Sequence, residues 1–249
     1  MKVVIITGTG GGIGGALVRT YLQDEYLVIG LDKKVSKKNK SDSFVEIKTD
    51  LFTFTRDYEY RENIINKVKG FFPENIKKLI IINNAAEQIL KPVLEINFED
   101  WQKSFAVNTI APFFLAQSFT KYLALSEGHI MNVTSIHSKL TKDQFTCYAA
   151  SKAALESITR SLAIELSPKN ISVNAIAPAA IATGMLKEGF SGRPEKLREL
   201  ENYHPSKSIG TPIQVSRFIK SITDQEGGFL TGSVLDYNGG IGGRLHDPS

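Results

Sequence analysis

The opening residues restrict the fold most. Lys2 to Thr7, KVVIIT, is β-branched and apolar without alternation, as suits a strand covered on both faces in a parallel sheet. It runs into Gly8-Thr9-Gly10-Gly11-Gly12-Ile13-Gly14-Gly15, after which Ala16-Leu17-Val18 begins a helical pattern. Glycines in such a turn let the backbone approach a pyrophosphate, which sits on the helix N-terminus where N–H groups point outward. The next strand, Leu27 to Leu31, ends in Asp32, an acid able to hydrogen-bond the hydroxyls of an adenosine ribose. A glycine turn alone is weak evidence, and a loop that merely turns the chain is the plain alternative. Strand, turn, helix and strand-end acid in this order favour a dinucleotide site.

Asp32 also bears on which dinucleotide. Its carboxylate repels the extra phosphate of NADP, and the glycine turn holds no basic residue to offset this, so NAD is expected. Lys33 and Lys34 are counter-evidence, since either can swing toward a 2′-phosphate.

Further along, Phe44 to Lys48 reads as a third strand, Tyr60 to Phe72 as a helix, and Lys78 to Ile82 as a very apolar fourth strand. Asp50 and Leu51 fall in a loop that can cover the adenine, although Asp50 also fits a plain turn or cap. Asn83-Asn84-Ala85-Ala86 follows the fourth strand, and ligands of doubly wound sheets bind at such carboxyl ends. Asn83 equally suits a side chain tying adjacent strands. Phe98 to Leu125 is a long helical stretch with a break expected near Pro112; Asn108 lies in its middle, where an amide needs a partner. A fifth strand precedes Ser135, a helix runs to about Ser167, and Ile171 to Ile176 forms a sixth strand. Residues 184–208 read as a loop-and-helix lid, Gln214 to Ile222 as the last helix, and Ser233 to Asp236 as a seventh strand. The alternation predicts an α/β fold, a doubly wound parallel sheet of seven strands with helices on both faces in three layers. With no linker or repeat visible, residues 1–249 are expected to form one domain.

Composition excludes little but points the same way. Hydrophobic residues make up 42% and charged residues 22%, ordinary for a soluble globular protein. The net charge of +4 owes much to Lys33, Lys34, Lys37, Lys38 and Lys40, a cluster without interleaved aromatics, so nucleic-acid binding is not expected. Cys147 is the sole cysteine, which excludes an intrachain disulfide and a multi-thiolate metal site; no metal is expected. No signal-like leader and no apolar stretch near the roughly 20 residues of a membrane span are visible, so a cytoplasmic protein is expected.

The chemistry-bearing stretch is Ser135 to Lys152, SIHSKLTKDQFTCYAASK. Tyr148 and Lys152 stand one helical turn apart on one face. An ammonium beside a phenol favours the phenolate and lowers its pKa, and a base works best near the working pH. A hydroxyl at a strand end and a phenol on the next helix can share one substrate oxygen.

Together, TGTGGGIG at Thr7 to Gly14, Asp32, NNAA at Asn83 to Ala86, Asn108, Ser135, YAASK at Tyr148 to Lys152, and the Pro178 to Thr183 loop resemble the short-chain dehydrogenase/reductase family, in its compact single-domain branch. The resemblance runs from Thr7 to about Gly239. It implies Tyr148 as acid/base, Ser135 holding the substrate oxygen, Lys152 on the nicotinamide ribose and Asn108 supporting a water relay. It also implies a pyrophosphate site at Gly8, Gly12, Ile13 and Gly14, with Asp50, Leu51, Asn84 and Ala85 on the adenosine side. Pro178, Ile181 and Thr183 would meet the nicotinamide, and the helices around Asn108 and Tyr148 would pair copies into a homodimer or homotetramer. Ala86 and Ala179 replace glycines usual in the family, each adding a methyl without removing a catalytic group.

The expected activity is hydride transfer between a nicotinamide cofactor and a secondary alcohol or its ketone. A dinucleotide-sensing regulator without chemistry, or an epimerase or dehydratase using the same Tyr and Lys, are the alternatives. Gln88, His137, Lys139, Gln144, Met185, Tyr203 and His204 are candidates to line the substrate pocket and lean toward a hydroxylated or anionic substrate. Arg244 and His246 are candidates to reach a neighbouring subunit's site, while His129 and Cys147 read as structural.

Overall fold

The protein is described here from a computed structural model covering residues 1–35, 41–225 and 228–244, without the side chains of Met185 and Lys187. Lys37, Lys38, Lys40 and His246 lie outside the described residues. The strands are β1 (Lys2–Thr7), β2 (Tyr26–Asp32), β3 (Phe44–Lys48), β4 (Lys78–Asn83), β5 (Glu127–Val133), β6 (Ile171–Pro178) and β7 (Val234–Tyr237). The helices are α1 (Gly12–Gln23), α2 (Leu51–Arg56), α3 (Tyr58–Lys69), α4 (Phe98–Phe105), α5 (Ala111–Ala124), α6 (Thr146–Leu166), α7 (Gly184–Gly189), α8 (Pro194–Tyr203) and α9 (Pro212–Thr223).

All seven strands are parallel, in the order β3-β2-β1-β4-β5-β6-β7. The chain therefore winds outward in both directions from β1 and β4, and their carboxyl ends open a crevice at the point of reversal. Side chains alternate between faces of β1, which explains why its sequence does not alternate in polarity. Val3 and Ile5 enter one core with α3 and α5; Val4 and Ile6 enter the other with α1 and α9, and all four are fully buried. Each such side chain contributes roughly 1.5–3 kcal/mol of apolar burial.

Two expectations from sequence are corrected. The helix expected over Tyr60 to Phe72 spans Tyr58–Lys69, because Asp57 caps it by accepting the Tyr60 N–H. Leu51 does not lie in a loop but begins α2 and is buried, while Asp50 takes the cap role also expected of it, accepting the Phe52 N–H. The break expected near Pro112 is a π turn over Ala106–Ile110 just before it. Among the described residues no helix is long and apolar enough to cross a membrane.

Candidate active site

The glycine turn is shaped by contacts that leave no room for side chains. Gly8 has φ +73°, and a Cβ there would sit 2.8 Å from the Ala85 Cα. At Gly14 a Cβ would lie 2.0 Å from the Gly8 carbonyl oxygen. Helix α1 starts at an N-cap glycine, Gly11, with no side-chain cap and no acidic residue in its first turn. The N–H groups of Gly12, Ile13 and Gly14 thus meet no intrahelical acceptor and can take an anion. This cradle fits a dinucleotide pyrophosphate.

Asp32 accepts the Gly10 N–H at 2.9 Å and, through its other oxygen, the Lys34 N–H at 2.9 Å. Each oxygen keeps lone pairs for ribose hydroxyls. Sequence reasoning missed Glu46 on β3, which accepts the Thr9 hydroxyl at 2.8 Å. Gly30, its register partner, permits this meeting, since a Cβ there would press to 2.9 Å on Thr9 Cγ2. A cavity lined by Thr9, Gly10, Gly11, Gly12, Gly15, Arg19 and Glu46 adjoins the turn. Arg19 is a cation at its edge that the sequence reading did not weigh, whereas Lys33 pairs with Glu87 at 3.6 Å.

At the ends of β4 and β5 the amides hold backbone. Asn83 donates to Asn132 at 2.7 Å, the strand-tying role. Asn84 donates to the Thr7 and Gly8 carbonyls at 3.0 and 3.1 Å, and the Asn84 and Ala85 N–H groups both reach the Thr7 hydroxyl at 3.0 Å. Asn84 therefore shapes the glycine turn. Asn108 is buried, and its side chain is fully engaged: it accepts the Glu87 N–H at 2.7 Å and donates to the Glu87 carbonyl and the Ser151 hydroxyl at 2.9 Å each. Four residues on, Pro112 has no N–H to offer the Asn108 carbonyl. An ordinary i to i+4 bond to that carbonyl is therefore ruled out, and the π turn covers this stretch.

Strand β5 delivers Ser135 to the cleft, and α6 delivers Tyr148 and Lys152 beside it. Ser135 Oγ accepts the His137 N–H at 3.2 Å. Lys152 is buried, donates to the Val133 carbonyl at 2.7 Å, and lies 5.7 Å from the Tyr148 ring centroid. Burial alone pulls its pKa down to about 7. Burial also holds the Tyr148 phenol above its ordinary value, opposed by a hydrogen bond with Ser135. Both groups are desolvated, and desolvation disfavours the charged form of each.

The same face of α6 continues one turn further to buried Glu156, which sequence reasoning missed although the Tyr148, Lys152, Glu156 spacing of four signals it. Glu156 contacts the Ser138 hydroxyl, and Ser138 reaches the Ser135 carbonyl at 2.7 Å. The turn carrying Ser135 is thereby fastened to the helix carrying Tyr148.

The other expected residues are dispersed. Pro178 ends β6, Ile181 is buried, and Thr183 lies over the glycine turn, where a Cβ on Gly12 would meet its Cγ2 at 3.0 Å. Lys139 pairs with Asp236 at 3.0 Å, and the Gln144 carbonyl accepts the Lys91 N–H at 3.2 Å. Gln88 is half-buried in the loop after β4. His204 is buried and its Nδ1 bonds the Leu200 carbonyl at 2.7 Å. Arg244 folds onto α8 and donates to the Tyr203 carbonyl at 2.9 Å. His129 bonds Ser172 at 2.7 Å, and Cys147 is buried with its thiol pushed up by burial; both are packing residues.

Known proteins carry the same plan. The family model described as short chain dehydrogenase matches residues 2–194. An NAD-dependent glycerol dehydrogenase of Listeria innocua serovar 6a is 29% identical over 243 residues, covering 96% of this chain and 93% of that protein. A solved 4-hydroxyisoleucine dehydrogenase complexed with NADH superposes with a TM-score of 0.88 at 26% identity, covering 98% of this chain and 100% of the other. ElxO with NADP bound superposes at 0.85 with 24% identity, covering 98% and 99%, a likeness of fold. A matching family model, full-length relatives and one sheet order lead to the same assignment: this chain belongs to the short-chain dehydrogenase family.

Proposed function

We propose that this chain is an NAD-preferring dehydrogenase that interconverts a secondary alcohol and its ketone, with Tyr148 as acid/base. One observation carries the reading: a buried phenol, beside Ser135 and one turn from Lys152, stands at the carboxyl edge that also holds the pyrophosphate cradle. Bound NAD supplies the ring that accepts or returns hydride. Ser135 holds the substrate oxygen, and Tyr148 takes the hydroxyl proton during oxidation and returns it during reduction. Lys152 contacts the nicotinamide ribose, and Asn108 supports the water relay through which the proton leaves.

NAD preference draws support from Asp32 bonded to Gly10, from the second carboxylate at Glu46, and from the NAD-dependent relative; Arg19 and the NADP-bound neighbour argue the other way. The cofactor set is Gly8, Gly12, Ile13, Gly14, Asp32, Asn84, Ala85, Tyr148, Lys152, Pro178, Ile181 and Thr183, with Asp50 and Leu51 near the adenine through backbone. We place the protein in the cytoplasm as a single domain with a lid over residues 184–208. Assembly into a homodimer or homotetramer draws support from Leu94 and Phe98 beside α4, 97% and 75% exposed.

The test is NADH formation, followed by its near-ultraviolet absorbance, from a panel of secondary alcohols and sugars. Turnover of one or more supports the reading. NADH binding without turnover of any member favours a dinucleotide sensor.

A further inference from the structure

His137 is the cleft residue that the reaction as described does not use. It sits in the short turn after Ser135, and its own N–H bonds the Ser135 hydroxyl at 3.2 Å. Its ring stacks on Phe145, with centroids 4.1 Å apart and planes 18° from parallel, and stands edge-on to Tyr148 at 6.1 Å. Phe145 is itself edge-on to Tyr148 at 6.0 Å. These contacts fix the imidazole within reach of whatever Ser135 and Tyr148 hold.

The ring is nevertheless unsatisfied. Nδ1 is buried without a partner, and among the described residues no side chain or backbone group bonds Nε2. The buried Nδ1 is closed to a ligand, whereas Nε2 is not among the buried atoms and is the ring nitrogen open to one. Burial also keeps the ring neutral at physiological pH, so one nitrogen donates and the other accepts, a pairing suited to a hydroxyl.

Given the dehydrogenase reading above, we propose that His137 Nε2 binds a second hydroxyl, on the carbon next to the reacting one, and that the substrate is a vicinal diol or polyol. The reacting carbon gives hydride to NAD and its hydroxyl proton to Tyr148. The products are the α-hydroxyketone, NADH and a proton, and the second hydroxyl stays intact in the grip of His137.

Butane-2,3-diol and butan-2-ol differ by that one hydroxyl. Initial rates with saturating NAD compare the two for the wild type, His137→Phe and His137→Gln. NADH fluorescence reports cofactor binding and the dissociation constant of the diol from the enzyme–NADH complex. The wild type is expected to favour the diol in kcat/KM by about tenfold or more. His137→Phe, which keeps the stack on Phe145, lowers that ratio by about tenfold and weakens diol binding to the NADH complex to match, while His137→Gln falls between. A wild type that handles butan-2-ol as well as the diol overturns the proposal, as does an unchanged ratio in His137→Phe. If His137→Phe no longer binds NADH, the wild-type ratio and His137→Gln decide. Intact NADH binding with neither alcohol oxidised, and no other secondary alcohol turned over, removes the dehydrogenase reading and this inference with it.

Discussion

At the glycine turn a methyl group on Gly14 would lie 2.0 Å from the Gly8 carbonyl oxygen, whereas on Gly184 or Gly189 in the lid it would meet nothing within 4 Å. The turn packs against Ala85, Asn84 and Asp32. The lid consists of two short helices, of which α8 buries no residue. A cofactor shared by many enzymes demands one backbone shape, so the turn is crowded and rigid. The proposed lid is loosely packed by comparison, as suits a segment that varies between relatives.

The largest effect is expected at the proposed acid/base. Tyr148→Phe should lower turnover by roughly 10³-fold while NADH affinity changes less than about twofold, measured by initial rates and fluorescence titration. Retained turnover would take Tyr148 out of the reaction. Next comes the crowding contrast. Gly14→Ala should weaken NADH binding by about 100-fold and destabilise the protein by about 1–3 kcal/mol. Gly189→Ala, within α7, should leave NADH binding alone and be neutral or stabilising by about 0.5 kcal/mol in thermal melts. Equal effects at the two glycines would erase the distinction between turn and lid.

How far these regions could be foreseen differs for a physical reason. Lys2 to Thr7, the glycine spacing and Asp32 are local signals, each readable from neighbours in the chain, and the seven strands followed from them. Glu46 escaped because it meets Thr9 only across the β2–β3 register, with Gly30 making the space. Helix α2 escaped because its β-branched threonines hid a six-residue helix set by the Asp50 cap. The opposing burial of Tyr148 and Lys152 is invisible in a spacing rule, since desolvation depends on the whole cleft.

Smaller effects sharpen the electrostatics. Asp32→Ala should shift the ratio of NAD to NADP kcat/KM toward NADP by on the order of tenfold to 100-fold, since it removes a charge facing the 2′ position. An unchanged ratio would move cofactor choice to Glu46 or Arg19. Lys152 adds a pH effect on stability. Its folded pKa, about 7, lies below the unfolded value, so the folded state releases the proton first as pH rises. Below pH about 7 the burial penalty is present in full; between about 7 and 10 stability rises by on the order of 1 kcal/mol per pH unit. Thermal melts of the cofactor-free protein should show this slope, and Lys152→Met should lack it.

A structure of the NADH complex tests the whole account most directly. The pyrophosphate should rest on the N–H groups of Gly12 to Gly14, with the reactive carbon of the nicotinamide opening onto the same small space as the Tyr148 hydroxyl, close enough for a bound alcohol to reach both at about 3–3.5 Å. A nicotinamide ring lodged away from Tyr148, or a pyrophosphate seated elsewhere than on α1, would contradict it.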